Sequence, residues 1–387
     1  MVNNVVASMV LAIWLYLLAG RGGFWRGAER DDVIEPIVPS VWPAVTAIIP
    51  ARDEAASVGE TVASLLGQDY AGELRVIVVD DQSRDATTQV ARDAAAKLGK
   101  ADRLMVLSGR ALPAGWTGKL WAQHQGVQYV NELPNPPDYL LFTDADIVYG
   151  LDVVSGLAAR TQADGLVLTS LMVKLRCTSF AERVFIPAFV LFFQMLYPFA
   201  FANDPRRATA AAAGGCMLVR REALQRAGGV AAIRGALIDD CALAKLLKAQ
   251  GPIWIGLTER VRSIRAYPAM ADIRGMVART AYAQLRYSPL LLAGTVLGLA
   301  LTFLAPAALA FFASGFAQFA GIFTWLLMAL VFRPMLRFYG VTIFWGLALP
   351  AIAALYMAFT LDSAYQHARG RGGMWKGRAQ ANVSEMR

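Results

Sequence analysis

The chain has 387 residues, 56% of them hydrophobic and 17% charged, and a formal net charge of +8. It is too apolar for an ordinary soluble protein and too polar for a bundle made only of membrane helices, so a water-soluble domain joined to membrane segments is expected. Residues 31–287 carry 27 basic against 26 acidic groups, so the basic excess flanks the apolar termini, as side chains facing anionic headgroups do, and no nucleic-acid surface is indicated.

Residues 4–20, NVVASMVLAIWLYLLAG, carry no charge, and Arg21, Arg26 and Arg30 follow. A cleaved leader carries its positive charge before the apolar stretch. The reverse order predicts a retained anchor over residues 1–25, with the chain cytoplasmic from residue 21.

Strand and helix patterns then alternate. VTAII at 45–49 runs into Pro50-Ala51-Arg52-Asp53-Glu54 and a helical stretch in which Ser57 and Glu60 have capping-box spacing. LRVIVVDD at 74–81 is a second buried-strand pattern followed by a helix, and LMVL at 104–107 and YLLFTDAD at 139–146 are further strands. Continuous rather than alternating hydrophobicity predicts a parallel sheet covered on both faces. Ligands bind such sheets at the carboxyl edge of the strands, where Asp53-Glu54, Asp80-Asp81 and Asp144/Asp146 all fall. There is no GxGxxG after the first strand and no GxxxxGK[ST], which disfavours a dinucleotide oxidoreductase and a P-loop NTPase. Cys177, Cys216 and Cys241 form no CxxC, and the only histidines are His124 and His367. A metal would therefore take oxygen ligands, as Mg2+ or Mn2+ does.

Residues 184–201, VFIPAFVLFFQMLYPFAF, read equally as an element dipping into a membrane surface or a buried core helix, and less well as a span. From residue 289 to 332 no charge occurs, about twice the roughly 20 residues one span needs. A helical hairpin turning near Ala313-Ser314-Gly315 is expected, with Arg333 and Arg337 in the following loop and a further span over 339–361. Three spans after a cytoplasmic domain would place the basic tail, 363–387, outside, against the charge rule; one of these segments could instead be re-entrant.

The ordered set IIPARDEAASVGETVASLLGQDY, VIVVDDQSRDAT, GWTGKLWAQHQGV, FTDADIVYG, AGGCMLVRREALQRAGG and LIDDCALAKLLKAQG resembles the family 2 inverting glycosyltransferases. Within them it is most similar to the membrane-anchored branch near ceramide glucosyltransferase, above all the hopene-associated glycosyltransferases. The resemblance implies an α/β GT-A domain with a mostly parallel sheet over about 40–287, plus N-terminal and C-terminal transmembrane helices, the latter over 288–362. It implies a nucleotide-sugar donor, a UDP-sugar in the first instance, held by Pro50, Ala51, Glu54, Asp80, Asp81 and Lys119. Asp144 and Asp146 match the DxD motif, whose carboxylates share an Mg2+ or Mn2+ bridging the donor diphosphate. Asp240, with Asp239 beside it, is the implied base, and Gly214-Gly215-Cys216 the acceptor-side floor. The usual residue before the base is Glu, so Asp239 is a departure.

Processive relatives carry QxxRW; here AQLRY puts Ala283 at the Gln position and Arg286-Tyr287 at the end. That favours transfer of a single sugar, with Arg286 left to the diphosphate or to headgroups. Arg260, Arg262, Arg265, Arg274 and Arg279 are expected to be mostly lipid-facing. The whole implies a multi-pass bacterial inner-membrane enzyme, catalytic domain cytoplasmic, acting on a lipid in hopanoid biosynthesis.

Overall fold

A computed structural model describes residues 1–32, 38–370, 372–375 and 378–379. In chain order the helices are α1 (Val2–Ala19), α2 (Val58–Leu66), α3 (Thr87–Lys97), α4 (Gly118–Asn131), α5 (Val153–Ala163), α6 (Phe180–Leu196) and α7 (Phe199–Asn203). They continue with α8 (Arg221–Arg226), α9 (Asp239–Lys248), α10 (Met270–Gln284), α11 (Pro289–Leu299), α12 (Ala305–Phe312), α13 (Gly315–Phe338) and α14 (Leu349–Ala368). The strands are β1 (Val45–Ala51), β2 (Leu74–Asp80), β3 (Leu104–Ser108), β4 (Tyr139–Phe142), β5 (Ile147–Tyr149), β6 (Leu168–Lys174), β7 (Met217–Arg220) and β8 (Ile253–Ser263).

The chain divides into two compact units that are not contiguous in sequence. One comprises residues 1–28, 177–200 and 266–373, the other 29–176, 201–265 and 374–387. Residues 177–200 and 266–287 thus group with the terminal helices.

The second unit is built on one eight-stranded sheet of order β3-β2-β1-β4-β7-β6-β8-β5. β1 pairs in parallel with β2 and β4, β2 with β3 and β6 with β8, whereas β7 is antiparallel to β4 and β6, and β5 to β8. The sheet is mostly parallel, as expected, and gains antiparallel strands in its second half. Every residue of β1 is buried because both faces are covered. Ala47, Ile49, Val76 and Val78 face a core with residues of α2, α3 and α5, while Ile48, Ile77 and Val79 face one with residues of α4, α8 and α9. Each Ile or Val fully buried in this way contributes about 1.5–3 kcal/mol. The capping box read at Ser57 and Glu60 does not form, because the Ser57 hydroxyl turns back to the Glu54 carboxylate (3.2 Å).

In the helical unit four helices are long and apolar enough to cross a membrane by length and composition: Val2–Ala19, Pro289–Phe312, Gly315–Phe338 and Ile343–Ala368. The hairpin turns where expected, between Phe312 and Gly315, whose positive φ of 60° suits glycine. A Cβ on Gly321 would lie 2.6 Å from the Ala310 nitrogen, so the two arms touch backbone to backbone. Arg333 and Arg337 lie within α13 rather than in a loop, and the last candidate helix runs Ile343–Ala368 where a span over 339–361 was expected. Residues 184–201 resolve mainly as α6, a mostly buried helix; Arg21 donates to the Met195 and Leu196 carbonyls at its C-terminus (3.1 and 2.9 Å). Most of the basic tail beyond residue 370 lies outside the described residues.

Candidate active site

Two loops leave adjacent parallel strands at the carboxyl edge of the sheet, after β1 and after β2, and carboxylates lace them together. Asp53 accepts from the Arg84 N–H (2.7 Å) and its own N–H donates to Ser83 Oγ (3.0 Å). Asp80 accepts from the Ser83 N–H (3.2 Å), and Asp85 from the N–H groups of Ala55 (3.1 Å) and Thr87 (3.0 Å). Asp53 and Gln82 hold φ of 50° and 58°, a region costing a non-glycine residue about 1–2 kcal/mol, so the lacing has strain to offset. Asp81, buried, donates from its N–H to the Ala51 carbonyl (2.7 Å). Beside it Arg52, also buried, donates to the Asp81 carbonyl (2.5 Å) and lies 3.8 Å from the Asp81 carboxylate. Pro50, Ala51, Glu54, Asp80 and Asp81 therefore share one edge.

The second cluster is assembled by pairing of β4 with β7. The register sets Phe142 against Met217, and the Thr143 hydroxyl donates to the Gly215 carbonyl (2.9 Å), which also accepts from Tyr149 Oη (3.1 Å). The turn after β4 is thereby fixed beside Gly214. Thr117 caps α4 by accepting from the Leu120 N–H (3.4 Å), placing Lys119 in the first turn. α4 approaches the sheet closely at Gly126, where a Cβ would meet Ile48 Cγ2 at 2.7 Å. Asp239 and Asp240 open α9, where the helix dipole favours negative charge.

These elements converge on one ammonium. Lys119 Nζ lies 2.8 Å from Asp144 Oδ1 and 3.0 Å from Asp239 Oδ2. Asp240 accepts from the N–H groups of Gly214 (3.1 Å) and Cys241 (2.7 Å), so helix capping and a place at the cluster coexist. A Cβ on Gly214 would sit 3.1 Å from Lys119 Nζ. Burial acts to lower the Lys119 pKa, but Asp144 and Asp239 outweigh it and hold the ammonium firmly charged. Burial, reinforced by Asp239, pushes the Asp240 carboxyl up to about 6, and burial raises Asp144 against the pull of Lys119.

The two carboxylates of the DxD sequence part company. They lie in a turn, not a strand, so spacing of two no longer aligns them. Asp144 turns to Lys119, whereas Asp146 accepts from Ser263 Oγ (2.8 Å) and Arg265 Nε (3.1 Å). Arg265 also reaches Glu54 (2.7 Å), linking the DxD turn to the end of β1. Arg265 is therefore part of the site rather than a lipid-facing residue, and Arg260 is likewise committed to Asp31 (3.0 Å) and Asp152 (2.7 Å). Nothing in the sequence marked Arg265, Ser263 or Arg52, because their partners are distant in the chain. Cys216 is wholly buried and its thiol is pushed up to about 12 by that burial, so its side chain does not reach the surface. Arg286 belongs to the helical unit, exposed and with φ of 51°.

Among the described residues no group of three or more His, Cys, Asp or Glu side chains is placed to hold a metal ion, so a hard divalent cation at Asp144 would need oxygen ligands from the donor as well. Three carboxylates share one ammonium, and Asp239 Oδ2 is buried and accepts no hydrogen bond despite its charge contact with Lys119. Oxygen ligands with unspent negative charge are what Mg2+ and Mn2+ take.

Residues 46–228 match the model of the family described as glycosyl transferase family 2. An N-acetylglucosaminyltransferase of Mesorhizobium japonicum is 32% identical over 194 residues, covering 47% of this chain and 41% of that protein. One from Bradyrhizobium elkanii is 33% identical over 126 residues, covering 32% of this chain and 62% of that protein. The matches thus span about half the length of these curated relatives. Among solved structures, a mannosyltransferase from Pyrobaculum calidifontis, in complex with GDP-Man and Mn2+, has 19% identity and a TM-score of 0.52, covering 94% of this chain and 99% of that one. The likeness in structure is one of fold, the GT-A fold, and the match to the family 2 model covers a little under half of the chain.

Proposed function

We propose that this protein is an inverting glycosyltransferase that moves one sugar from a nucleotide-sugar donor to a membrane lipid. The observation that carries the reading is Asp240, held by the Gly214 N–H beside the Lys119, Asp144 and Asp239 cluster with its carboxyl pushed up to about 6. A base acts best when its pKa lies near the working pH, and Asp240 would take the proton of the acceptor hydroxyl as that oxygen attacks the anomeric carbon. Asp81 and Asp80, with Pro50, Ala51 and Glu54, would bind the nucleoside, since a carboxylate accepts charge-assisted hydrogen bonds from base and ribose. Asp239 would hold Lys119 in place, and Lys119 would contact the donor diphosphate. Gly214 and Gly215 would leave room for the acceptor. Mg2+ or Mn2+, held by Asp144 with Asp146 behind it, would when bound neutralise the leaving nucleotide diphosphate, a role worth several kcal/mol. The Mn2+ and GDP-Man of the Pyrobaculum calidifontis structure support a metal and a nucleotide sugar.

The lipid acceptor is supported by the four span-length helices and the arginines around them. Arg286 would serve the headgroup side. The motif order favours a hopanoid or similar polycyclic lipid, with polyprenyl phosphate, ceramide-like lipid or diacylglycerol as the other acceptors. Residues 1–25 and 288–362 would anchor the enzyme in a bacterial inner membrane, with the sheet domain in the cytoplasm.

The test is release of nucleotide diphosphate by detergent-purified protein with Mg2+ or Mn2+, across a donor panel that starts with UDP-GlcNAc because the two relatives are named N-acetylglucosaminyltransferase. Bacterial lipid should stimulate release from one donor, and Asp240→Asn should abolish the stimulation. Release that ignores lipid would remove the acceptor assignment. No turnover of any donor would remove the transferase reading.

A further inference from the structure

The helical unit handles charge in an unusual way. Its three stretches of sequence, 1–28, 177–200 and 266–373, contain ten arginines, no lysine and three carboxylates, Glu182, Asp272 and Asp362. Those carboxylates are committed elsewhere. Glu182 accepts from the N–H groups of Thr178, Ser179 and Tyr267, Asp272 from that of Ala269, and Asp362 pairs with Arg274 at 3.0 Å.

Helices α1 and α13 run parallel. Ala7 packs with Ala317 and Ala320 near the start of both, and the short 3-10 turn Phe24–Arg26 that follows α1 packs on α13. Arg21, Arg26, Arg333 and Arg337 therefore gather toward one end of the unit. Arg21 is spent on the carbonyls at the end of α6, and Arg26 lies over the Trp25 ring at 5.3 Å. Arg333 makes no hydrogen bond or ion pair with any described residue, and its Nε is fully enclosed. The residue as a whole is only partly buried, so the outer end of its guanidinium meets the surface. Arg337, one turn further on the same helix face, is exposed.

A cation simply extended into water would keep its Nε hydrated. One held against apolar helices without an acceptor is destabilising. An acceptor from outside the protein removes that cost, and it has to lie where apolar helices end. We propose that Arg333, with Arg337 beside it, binds the headgroup phosphate of an anionic phospholipid. Arginine alone supplies the planar fork that matches phosphate oxygens in two parallel hydrogen bonds, and headgroup phosphates occupy the depth at which a span-length helix gives out. The proposal rests on the helices lying in a membrane and not on the transferase reading.

The experiment uses the full chain in maltoside detergent with phosphatidylglycerol, phosphatidylcholine or inorganic phosphate as probe. Native mass spectrometry measures retained lipid, and thermal melting measures stabilisation. Wild type should retain phosphatidylglycerol in preference to phosphatidylcholine and melt higher with it. Arg333→Gln should lose about tenfold in retention, Arg337→Gln about threefold, and Arg333→Lys should fall between, because the ammonium keeps charge but loses the fork. In lipid-free detergent Arg333→Gln should melt no lower than wild type, since it removes an unsatisfied charge. Should Arg333→Gln not fold, Arg333→Lys decides: undiminished retention overturns the proposal and reduced retention sustains it. Equal retention of phosphatidylcholine overturns the anionic assignment, and inorganic phosphate that stabilises as well as phosphatidylglycerol overturns the lipid.

Discussion

Two groups of carboxylates stand at the same sheet edge and are wired in opposite ways. In the loops after β1 and β2, Asp53, Asp80 and Asp85 accept hydrogen bonds from backbone N–H groups of Arg84, Ser83, Ala55 and Thr87. Their charge is answered locally, and they hold two strained loops in register. In the second group Asp144, Asp239 and Asp240 have one cation among them, Lys119, and Asp240 also accepts from the N–H groups of Gly214 and Cys241. Asp53 and Asp85 act as scaffold, Asp80 keeps one carboxylate oxygen toward the nucleoside proposed above, and the second group, with three carboxylates on one ammonium, is left with charge that can respond to a ligand. Each expected outcome below either sharpens that contrast or breaks it.

The largest effect should follow from removing the shared cation. Lys119→Met leaves buried carboxylates facing one another, and breaking a buried ion pair on one side costs about 3–5 kcal/mol. Thermal melting should show a large fall, partly recovered by Mg2+ or Mn2+ if the cluster takes a metal. Activity should drop at least about a hundredfold, as when a charge-stabilising group is deleted. A variant that melts and turns over like wild type would mean that Lys119 is ornamental to the cluster.

Asp240→Asn should separate activity from stability. Loss of a general base costs about 10^2–10^4 in rate. For wild type, turnover should decline as pH falls through about 6, where Asp240 gains its proton. The sign for stability is the reverse of the usual carboxylate. A folded pKa above the ordinary value of 3.8 means that ionisation works against folding, a cost absent below about 4 and complete above about 6. Asp240→Asn should therefore melt higher than wild type at neutral pH, by on the order of 1–3 kcal/mol, with the gain vanishing in acid. Lower melting than wild type at neutral pH, with the loss shrinking in acid, would place Asp240 with the scaffold acids. Gly214→Ala is milder: its methyl lands 3.1 Å from Lys119 Nζ, and a shifted ammonium should cost about tenfold in kcat with melting nearly unchanged.

Much of this was legible in the chain, for identifiable reasons. The unbroken apolar runs of β1, β2 and β4 announced strands covered on both faces, and each ran straight into its acids. The hairpin turn at Ala313–Gly315 was legible because a helix break inside an uncharged stretch has few other meanings. Local sequence failed where geometry is set at long range. Spacing of two suggested that Asp144 and Asp146 share a face, but the turn sends one to α4 and the other to the residues at and just after the end of β8. Arg265 lies 211 residues from its partner Glu54, and no local pattern encodes that pairing. Arg333 looked like a loop residue because charge ordinarily ends a span, yet α13 continues through it to Phe338.

The smallest expected effect is the sharpest check on the contrast, because its pH dependence has the opposite sign. Hydrogen bonds from Thr87 and Ala55 outweigh the burial that would raise Asp85, and hold its carboxyl below the usual range. A lowered folded pKa contributes stability that is present above the ordinary value of 3.8 and lost as pH falls through the folded pKa. Asp85 is exposed, so solvent screens much of this, and Asp85→Ala should cost no more than about 1 kcal/mol at neutral pH. That cost should shrink in acid, where the gain from Asp240→Asn also disappears, leaving the two variants and wild type close together. Turnover by Asp85→Ala should stay within about threefold of wild type, because a laced loop loosened by one acid keeps the bonds from Asp53 and Asp80. If Asp85→Ala instead abolished turnover while melting normally, Asp85 would join the nucleoside-binding acids, and the division between scaffold and site would fall elsewhere along the edge.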